Sequence, residues 1–360
     1  MTRTSAWLAI GGLLVILFGC ASAPKQEATA RMVWPPPPLA PRIEFIRSIA
    51  SDQDVGRDTT FSQKLTMFVG GETPGINQIA EPTGVAVSDD GERLYVADFM
   101  QLQVFVFDFA HKTFTKIGNN ERLARPMGIA LDAQENLYVV EEESKGISVF
   151  NRQGKKTGFI TDPSISRPTG IAIDRERGKI YLSDTSHTKT GEHSIKVFNL
   201  SGKLIGSIGK KGTQPGEFLF PTYLTVDAKG NLYVADTLNS RVQMFDHDGK
   251  YLKSFGSRGS AWGMFDKPKG VAVDSFGNLY VVDSGWSNVQ IFNEKGEVLL
   301  FFGGRGPIPG MMKNPNDIAI SKDNHIYVAD YLNHRIDVYR LVNTTATDSF
   351  SVPPTQNSGK

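Results

Sequence analysis

Short apolar runs separated by turn residues recur along this chain, and the stretch 268–292 shows the pattern most clearly. It contains apolar runs at 270–273, 279–282 and 289–292, and a fourth run follows at 298–302. The runs are rich in Val, Ile, Leu, Tyr and Phe and are bounded by Asp, Asn, Gly or Ser, which indicates strands rather than helices. Because they are apolar at nearly every position, both faces of each strand are expected to be buried. The stretch therefore predicts a four-stranded antiparallel meander packed against other sheets.

The same unit recurs six times between residues 82 and 339. A proline opens the first strand of each copy at intervals of 42 to 53 residues, a period typical of propeller or solenoid repeats. These prolines are Pro82, Pro126, Pro168, Pro221, Pro268 and Pro315. The second strands read LYVAD, LYVVE, IYLSD, LYVAD, LYVVD and IYVAD, and the third copy carries an insertion near 185–194. We expect one repetitive all-β domain rather than unrelated hairpins.

The fourth and sixth copies keep a further motif before the third strand. Asn239 and Arg241, and likewise Asn333 and Arg335, form an Asn-x-Arg element. With these motifs the unit resembles the NHL repeat over residues 82–339. The other copies differ at the Arg position, where they have Gln103, Gly146, Ser194 and Asn288. The resemblance implies a six-bladed β-propeller of four-stranded antiparallel blades. More closely, the chain resembles bacterial six-bladed propeller lipoproteins, a group without an established shared activity.

The sixth copy supplies only three strands, so the ring needs a strand from elsewhere. Residues 42–49, RIEFIRSI, alternate apolar and charged positions and predict an N-terminal strand that closes the ring and covers its open edge. The propeller is accordingly expected to span residues 42–342, with the repeats beginning at 82. Residues 61–69 have apolar positions at helical spacing and predict a short amphipathic helix. The polar segment 343–360 is expected to be disordered.

The N-terminus is typical of an export signal. Arg3 precedes the apolar stretch 6–18, which is too short to span a membrane and predicts a signal peptide over residues 1–19. Cys20, the single cysteine, follows a Leu-Phe-Gly triplet and resembles the lipidated cysteine of a bacterial lipobox. An ordinary signal peptide with an incidental cysteine is the alternative. Since Ala21 rather than Asp comes next, the resemblance implies an outer-membrane lipoprotein that faces the periplasm or the cell surface.

Residues 20–41 are the expected lipidated cysteine and Pro-rich tether. The segment has no apolar periodicity and contains a run of prolines at 35–38. This composition is typical of an extended polyproline II spacer, which would hold a folded domain away from the membrane. A ligand for an aromatic-lined groove is the other use of such a run.

Charge argues against one class of partner. The chain has 39 Lys and Arg residues against 38 Asp and Glu residues, so its formal net charge is +1. This balance gives no electrostatic case for binding a nucleic acid. We therefore predict no nucleic-acid partner, and a membrane contact only through the N-terminal lipid.

The longest loops are expected on one face of the propeller, which we call the top face. It carries the connections between second and third strands and between one blade and the next. Its long inter-blade loops, at 210–221, 257–267 and 304–314, combine aromatic, Met and basic residues, which suits recognition by a rigid scaffold. For Phe218 and Phe265 we instead predict that the ring seals the seam, our name for the interface between adjacent blades. The predicted partner-binding residues are Trp262, Arg258, Arg305, Met311 and Met312.

A second candidate site is the top mouth of the central channel, lined by the residue after each opening proline. A small polar ligand is the expected occupant. The candidates are Thr83, Met127, Thr169, Thr222, Lys269 and Asn316, with Tyr223 and Asp317 at the next position, where the other copies have glycine. The acidic residue that ends each second strand, for example Asp98 or Asp236, recurs in every copy. This recurrence predicts hydrogen bonding to turn amides rather than a ring of metal ligands.

Enzymatic six-bladed propellers with a metal at the channel mouth, the amidating lyases and lactonases, provide an alternative function. Such chemistry needs three or four His or carboxylate ligands at one point. The insertion in the third copy brings His187, Glu192 and His193 close in sequence, a candidate site for Ca or Zn. A solvated loop is the simpler interpretation of the same residues. No cofactor is therefore expected, and no catalytic residue is predicted.

The predicted function is that of a lipid-anchored extracytoplasmic binding or scaffolding module. Its top face would recognise a protein or a small polar ligand. A metal-dependent lyase or hydrolase at the channel mouth is the alternative, and it is the less favoured of the two. Because propellers host many unrelated functions, the sequence leaves the identity of the partner open.

Overall fold

The computed structural model describes residues 31–56, 77–118, 122–186 and 191–344. The predicted signal peptide with Cys20, the helix expected at 61–69, His187 and most of the predicted tail lie outside these residues. From Met32 onward the described chain belongs to one compact unit. This described part consists of strands and three short 3-10 helices. It contains no helix with the length and apolarity that a membrane span requires.

Six antiparallel sheets form the predicted blades, and in blades 1 to 5 the strands follow chain order from the innermost to the outermost. Blade 1 consists of β3 (Pro82–Val87), β4 (Arg93–Asp98), β5 (Gln103–Asp108) and β6 (Thr113–Ile117). Blade 2 consists of β7 (Pro126–Leu131), β8 (Leu137–Glu141), β9 (Gly146–Phe150) and β10 (Lys156–Thr161). Blade 3 consists of β11 (Arg167–Asp174), β12 (Lys179–Thr185), β13 (Ser194–Asn199) and β14 (Leu204–Ile208).

The remaining blades follow the same plan until the last. Blade 4 consists of β15 (Pro221–Val226), β16 (Leu232–Asp236), β17 (Arg241–Phe245) and β18 (Tyr251–Phe255). Blade 5 consists of β19 (Pro268–Val273), β20 (Leu279–Asp283), β21 (Asn288–Phe292) and β22 (Val298–Gly303). Blade 6 contains β23 (Pro315–Ile320), β24 (His325–Asp330) and β25 (Arg335–Leu341), and two N-terminal strands, β2 (Ile43–Ile49) and β1 (Val33–Trp34), complete it.

The innermost strands form a closed ring around a central channel. Each contacts the next in the order β3, β7, β11, β15, β19, β23, and β23 contacts β3. Blades 1 and 4 therefore lie opposite each other across the channel. The prediction of an all-β, six-bladed propeller is confirmed.

Apolar side chains alternate between the two neighbouring seams, which explains why the strands are apolar on both faces. In β4, Leu94 and Val96 pack toward blade 6, whereas Tyr95 and Ala97 pack toward blade 2. All four side chains are buried. Burying a large apolar side chain contributes about 1.5–3 kcal/mol, so the seams between blades are the hydrophobic core of the molecule.

The ring closes through the N-terminal strand, as predicted. In β2, Ile43 lies opposite Leu341 and Ile49 lies opposite Ile336 of β25. Both isoleucines are fully buried. The strand therefore covers an edge of blade 6 that would otherwise be open.

The expected tether needs a correction at its C-terminal end. Val33 and Trp34 form β1 against β2, and the Trp34 ring lies 6.0 Å from Phe302 and 5.8 Å from Tyr339. The indole thus packs against the seam between blades 5 and 6. Residues from Met32 to Pro41 are therefore part of the propeller rather than a free spacer, because Trp34 gains an apolar contact that an extended polyproline segment could not provide.

Candidate functional site

Three long inter-blade loops share one conformation, at 209–220, 256–267 and 304–314. Isolated parallel bridges join Lys211 to Phe218, Arg258 to Phe265, and Arg305 to Met312. Phe218, Phe265 and Met312 are each fully buried. The prediction that Phe218 and Phe265 seal their seams is therefore confirmed. Met312 occupies the same position in its loop, so it is a core side chain and not the surface contact that the sequence suggested.

The Asn-x-Arg motif, extended by Gln243, holds the first of these loops in place. Asn239 Nδ2 donates to Gly212 O at 3.0 Å, and the Arg241 guanidinium donates to Gln214 O at 2.9 Å and to Glu217 O at 2.8 Å. Gln243 Nε2 donates to Glu217 O at 2.7 Å. The motif therefore donates hydrogen bonds to loop carbonyls that are shielded from water in the seam between two blades.

Blade 6 repeats this arrangement. Asn333 Nδ2 donates to Gly306 O at 2.9 Å, and the Arg335 guanidinium donates to the carbonyls of Pro307, Ile308 and Met311 at 2.7–2.9 Å. Several hydrogen bonds therefore hold each of these two long loops in place. They present their exposed side chains from a rigid base.

The acidic residues that end the second strands are structural, as predicted. Asp98 accepts from Ala80 N–H at 2.6 Å, Asp236 from Leu219 N–H at 2.7 Å, and Asp330 from Lys313 N–H at 2.7 Å. Each carboxylate thus fixes the chain as it enters its blade.

Two of the chain's four tryptophans are exposed beside the loop between blades 4 and 5. Trp262 lies within this loop and is 56% exposed, and Trp286 follows β20 and is 44% exposed. The Trp262 ring meets Phe301 edge-on at 5.0 Å, and Phe301 is itself 38% exposed. The three rings give blade 5 an aromatic surface, which we call the tryptophan patch.

Trp286 occupies the position of the motif asparagine in blade 5. Its Nε1 donates to Gly259 O at 3.1 Å, the bond that Asn239 makes to Gly212 and Asn333 makes to Gly306. The loop-holding bond is thus retained while the indole adds exposed apolar surface. Sequence analysis named Trp262 and missed Trp286, and the departure from the motif was the signal that could have found it.

The predicted top-face arginines lie next to this patch. Arg305 donates to Gly285 O at 2.9 Å, directly before Trp286, and Arg258 donates to Leu238 O at 3.3 Å. Both guanidinium groups are exposed, whereas Met311 is half-buried. Each arginine therefore has spare donors that face solvent.

Several polar candidates at the channel mouth already have hydrogen-bond partners within the ring. Thr83 Oγ1 donates to Pro126 O at 2.9 Å, and the hydroxyls of Thr222 and Thr237 are 2.8 Å apart. Lys269 Nζ donates to Asn316 Oδ1 at 2.5 Å. Burial, with a smaller effect of the nearby Lys267, lowers the pKa of Lys269 to about 8. Thr169 is also buried, and Met127 is half-buried.

Adjacent innermost strands lie very close together at the level of the repeat glycines. A Cβ on Gly128 would lie 2.8 Å from Thr169 O, and one on Gly270 would lie 2.7 Å from the Asp317 Cα. The innermost strands therefore approach too closely for a side chain directed at the next blade. Only blades 4 and 6 depart from glycine here, and they do so with Tyr223 and Asp317.

Tyr223 crosses the channel at this level. Its hydroxyl donates to Thr83 O on the opposite blade, and the side chain is buried. Asp317 Oδ2 accepts from Val85 N–H at 3.0 Å on the unpaired edge of β3. Burial raises the pKa of Asp317 to about 7, against the opposing effect of hydrogen bonds from the Val85 and Ile318 amides. Together the two side chains close the top of the channel.

Of the candidate metal residues in the third copy, Glu192 and His193 lie in the described part of the chain, and their environments differ. His193 is buried, and its Nδ1 accepts from Phe220 N–H at 2.9 Å. Burial lowers the pKa of this imidazole. Glu192 is exposed. Within the described ranges, no three His, Cys, Asp or Glu side chains group in a way that could hold a metal ion.

Family comparisons agree with this architecture. Residues 67–186 match the SMP-30/gluconolactonase/LRE-like region, residues 172–254 match a 6-bladed β-propeller family, and residues 312–339 match the NHL repeat. Protein brain tumor of Drosophila melanogaster is 28% identical over 138 residues, which cover 37% of this chain and 12% of that protein. The chain spans less than a third of the length of each curated relative that it matches.

Solved structures share the fold at low identity. A catalytically inactive virginiamycin B lyase from Staphylococcus aureus, solved with quinupristin, gives a TM-score of 0.54 at 16% identity, covering 74% of this chain and 97% of the lyase chain. A chain of a nidogen/laminin complex gives a TM-score of 0.51 at 20% identity, covering 63% of this chain and 83% of that one. With its repeats, blades and closure established, this chain is a six-bladed β-propeller, and its residues 312–339 match the NHL repeat.

Proposed function

We propose that this protein is a lipid-anchored extracytoplasmic binding module whose propeller recognises a partner protein through the tryptophan patch on blade 5. The observation that carries the proposal is Trp286. It keeps the loop-holding bond of the motif asparagine at 3.1 Å and still exposes 44% of its surface. Asparagine makes the same loop-holding bond in blades 4 and 6. The apolar surface of the indole is therefore not needed to hold the loop.

The chemistry of the patch suits a protein interface. Tryptophan and arginine are the side chains that most often dominate binding energy at such interfaces. Trp262, Trp286 and Phe301 supply the apolar area, and Arg305 lies beside them with free donors. Because the loop 256–267 is held by hydrogen bonds along its length, little conformational entropy would be lost on association.

A small polar ligand at the channel mouth has less support. The Thr83 and Thr222 hydroxyls and the Lys269 ammonium already have partners within the ring. A ligand would have to replace those bonds before it gained any of its own. A protein partner on the top face is therefore the favoured occupant.

The comparisons are compatible with this proposal through the fold alone. One similar propeller comes from a nidogen/laminin complex, in which two proteins associate. Others are lyases, but an identity of 15–16% transfers no catalytic residue to this chain. The proposal accordingly rests on the patch itself.

The test removes both indoles from the patch. We expect the double variant Trp262→Ala, Trp286→Asn to lose partner capture, because the apolar anchors are gone while Asn restores the loop-holding amide of the repeat. Cross-linking followed by a pull-down from the extracytoplasmic fraction measures the recovery of each captured protein. The melting temperature should fall by no more than about 3 °C, since both side chains lie at the surface and neither belongs to a buried core cluster.

Phe276→Ala is the matched control. Phe276 is also an exposed aromatic residue, but it lies in the turn between β19 and β20 on the face opposite the top face. This variant should recover the same proteins as the parent. Equal recovery by the double variant and the parent would contradict the proposed binding surface.

A further inference from the structure

A cavity of 380 Å³ lies in the seam between blades 1 and 2, apart from the central cavity that residues of all six innermost strands line. Small-molecule sites in proteins usually have volumes of about 300–1,000 Å³. Its apolar lining includes Ile117, Leu123 and Phe150. The exposed side chains of Lys155 and Lys156 also line it, so the cavity reaches the protein surface.

Larger side chains fill the corresponding place in three other seams. The position is the third residue before the opening proline, and it holds Phe218, Phe265 and Met312 before blades 4, 5 and 6. All three side chains are fully buried. The Phe218 ring lies 5.6 Å from Phe245, and the Phe265 ring lies 5.6 Å from Phe292, the last residue of the third strand in each blade. These seams therefore accommodate an aromatic ring beside that strand end.

Before blade 2 this position is Leu123, and Phe150 ends the third strand. A Cβ added to Gly209 would lie 2.3 Å from the Phe218 ring. Gly118 likewise follows a fourth strand, and a Cβ added there would lie 3.2 Å from Leu123 Cγ. Leu123 thus occupies the place of Phe218 with a shorter side chain. The cavity beside Phe150 corresponds to space that an aromatic ring fills before blades 4 and 5.

Three lysines give this cavity positive charge. Lys116, Lys155 and Lys156 line it, and none of them forms an ion pair with a carboxylate among the described residues. The Lys116 ammonium lies 5.8 Å from the centroid of the Phe105 ring, and the Lys156 ammonium lies 5.5 Å from that of Phe159. Their hydrogen-bond donors are therefore available to an anion.

Within the described ranges, Glu141 is the carboxylate that lines the cavity, and its oxygens are already engaged. Oε2 accepts from Ala124 N–H at 2.7 Å, and Oε1 accepts from the Ser148 hydroxyl. Glu141 thus holds the chain as it enters blade 2, as the equivalent aspartates do in their blades. Hydrogen bonds from lysine to an anion are stronger than those between neutral groups, so the three lysines favour an anionic ligand.

We propose that this cavity binds a small aromatic carboxylate, with the ring beside Phe150 and the carboxylate at the lysines. The ring would gain burial and a favourable contact with Phe150, as Phe218 does with Phe245. The cavity lies between blades 1 and 2, whereas the tryptophan patch lies on blade 5. Neither proposal depends on the other.

Calorimetry on the full chain with 3-phenylpropanoate tests the site. We expect this anion to bind, and the neutral 3-phenylpropan-1-ol to bind about tenfold or more weakly because it lacks the charge that the lysines recognise. Hexanoate, which has the carboxylate but no ring, should also bind more weakly. Lys155→Gln combined with Lys156→Gln should weaken 3-phenylpropanoate binding by about tenfold or more.

Leu123→Phe tests the place of the ring. This variant puts into blade 2 the residue that blades 4 and 5 carry, and we expect it to fold and to lose 3-phenylpropanoate binding because its own ring fills the cavity. Lys203→Gln and Lys250→Gln are the matched controls, since each lysine follows the same turn glycine as Lys155 but in blade 3 or blade 4. Both should bind like the parent.

Absence of 3-phenylpropanoate binding to the parent, or equal binding of the anion and the alcohol, would overturn the proposal. So would unchanged binding in a folded Leu123→Phe protein. If that variant does not fold, the double lysine variant and the comparison of the three probes on the parent decide the outcome.

Discussion

Asp317 and Tyr223 show that one position of a repeat can carry glycine in most copies and a large or charged side chain in others. Four copies have glycine at this level because adjacent backbones nearly touch there. Tyr223 and Asp317 instead send their side chains across and along the channel, where both are buried. Residues larger than glycine are accommodated at these two positions, where they line the central cavity.

Ionisation of Asp317 should be visible in the stability of the protein. Its pKa is raised to about 7, so its contribution to stability is fully present below the unfolded value near 3.8 and is lost as the pH rises through 7. Asp317→Asn cannot ionise, and we expect it to be more stable than the parent at pH 8 by up to about 4 kcal/mol. Guanidinium unfolding at pH 8 and at pH 4 measures the difference, which should vanish at the lower pH.

Asp248→Asn is the control for this measurement, because the Asp248 side chain is 76% exposed. It should leave stability unchanged at both pH values. An Asp317→Asn protein that is less stable than the parent at pH 8 would mean that the ionised carboxylate is stabilised by a group not identified above.

At the scale of structural elements, each long loop depends on hydrogen bonds from residues near the third strand of the blade that follows it. In blades 4 and 6, Asn and Arg from the start of the third strand bind the carbonyls of the preceding loop. Blade 5 keeps part of the scheme with Gln290, which accepts from Gly263 N–H at 3.0 Å and donates to Met264 O at 2.8 Å. The Asn-x-Arg motif of blades 4 and 6 therefore anchors the inter-blade loops that precede these blades.

The closing strand is the element whose removal should matter most. Deleting residues 42–49 would expose the β25 edge and remove the burial of Ile43 and Ile49. Each isoleucine contributes about 1.5–3 kcal/mol by burial, so the combined loss is large against a total stability of about 5–15 kcal/mol. We expect the cooperative melting transition to be lost or shifted down strongly, as measured by circular dichroism. A chain shortened only by residues 1–31 should melt like the parent, and a deletion variant that does the same would show that ring closure does not need the strand.

At the scale of the whole molecule, the location of the propeller depends on the proposed lipid at Cys20. A lipid chain contributes about 0.8 kcal/mol per buried methylene, and its removal should release the protein from the membrane. We expect Cys20→Ser to move the protein from the membrane fraction to the soluble extracytoplasmic fraction on cell fractionation. Ser22→Ala is the control and should remain with the membranes. Continued membrane association of the Cys20→Ser protein would indicate another mode of attachment.

Local pattern was enough to predict most of the fold. Strand positions, the number of blades and the closing role of residues 42–49 follow from short apolar runs, turn residues and the repeat period, all of which are encoded within neighbouring residues. The burial of Phe218 and Phe265 in the seams was predicted from the same repeats. Met312 was misassigned because a methionine stands where the other loops have phenylalanine, and only its burial shows that it takes the same place.

The candidate sites depended on contacts between distant residues, which no local pattern encodes. Tyr223 meets Thr83 across 140 positions of sequence, and Arg175 meets Asp89 across 86. Ring closure brings these residues together, and it also makes Asp317 line a cavity in which no described Lys, Arg or His pairs with it. Sequence alone therefore determined the blades, because each is built from adjacent strands. The tertiary structure decided which side chains meet on the channel axis and which remain exposed, because those outcomes depend on how six blades pack around one centre.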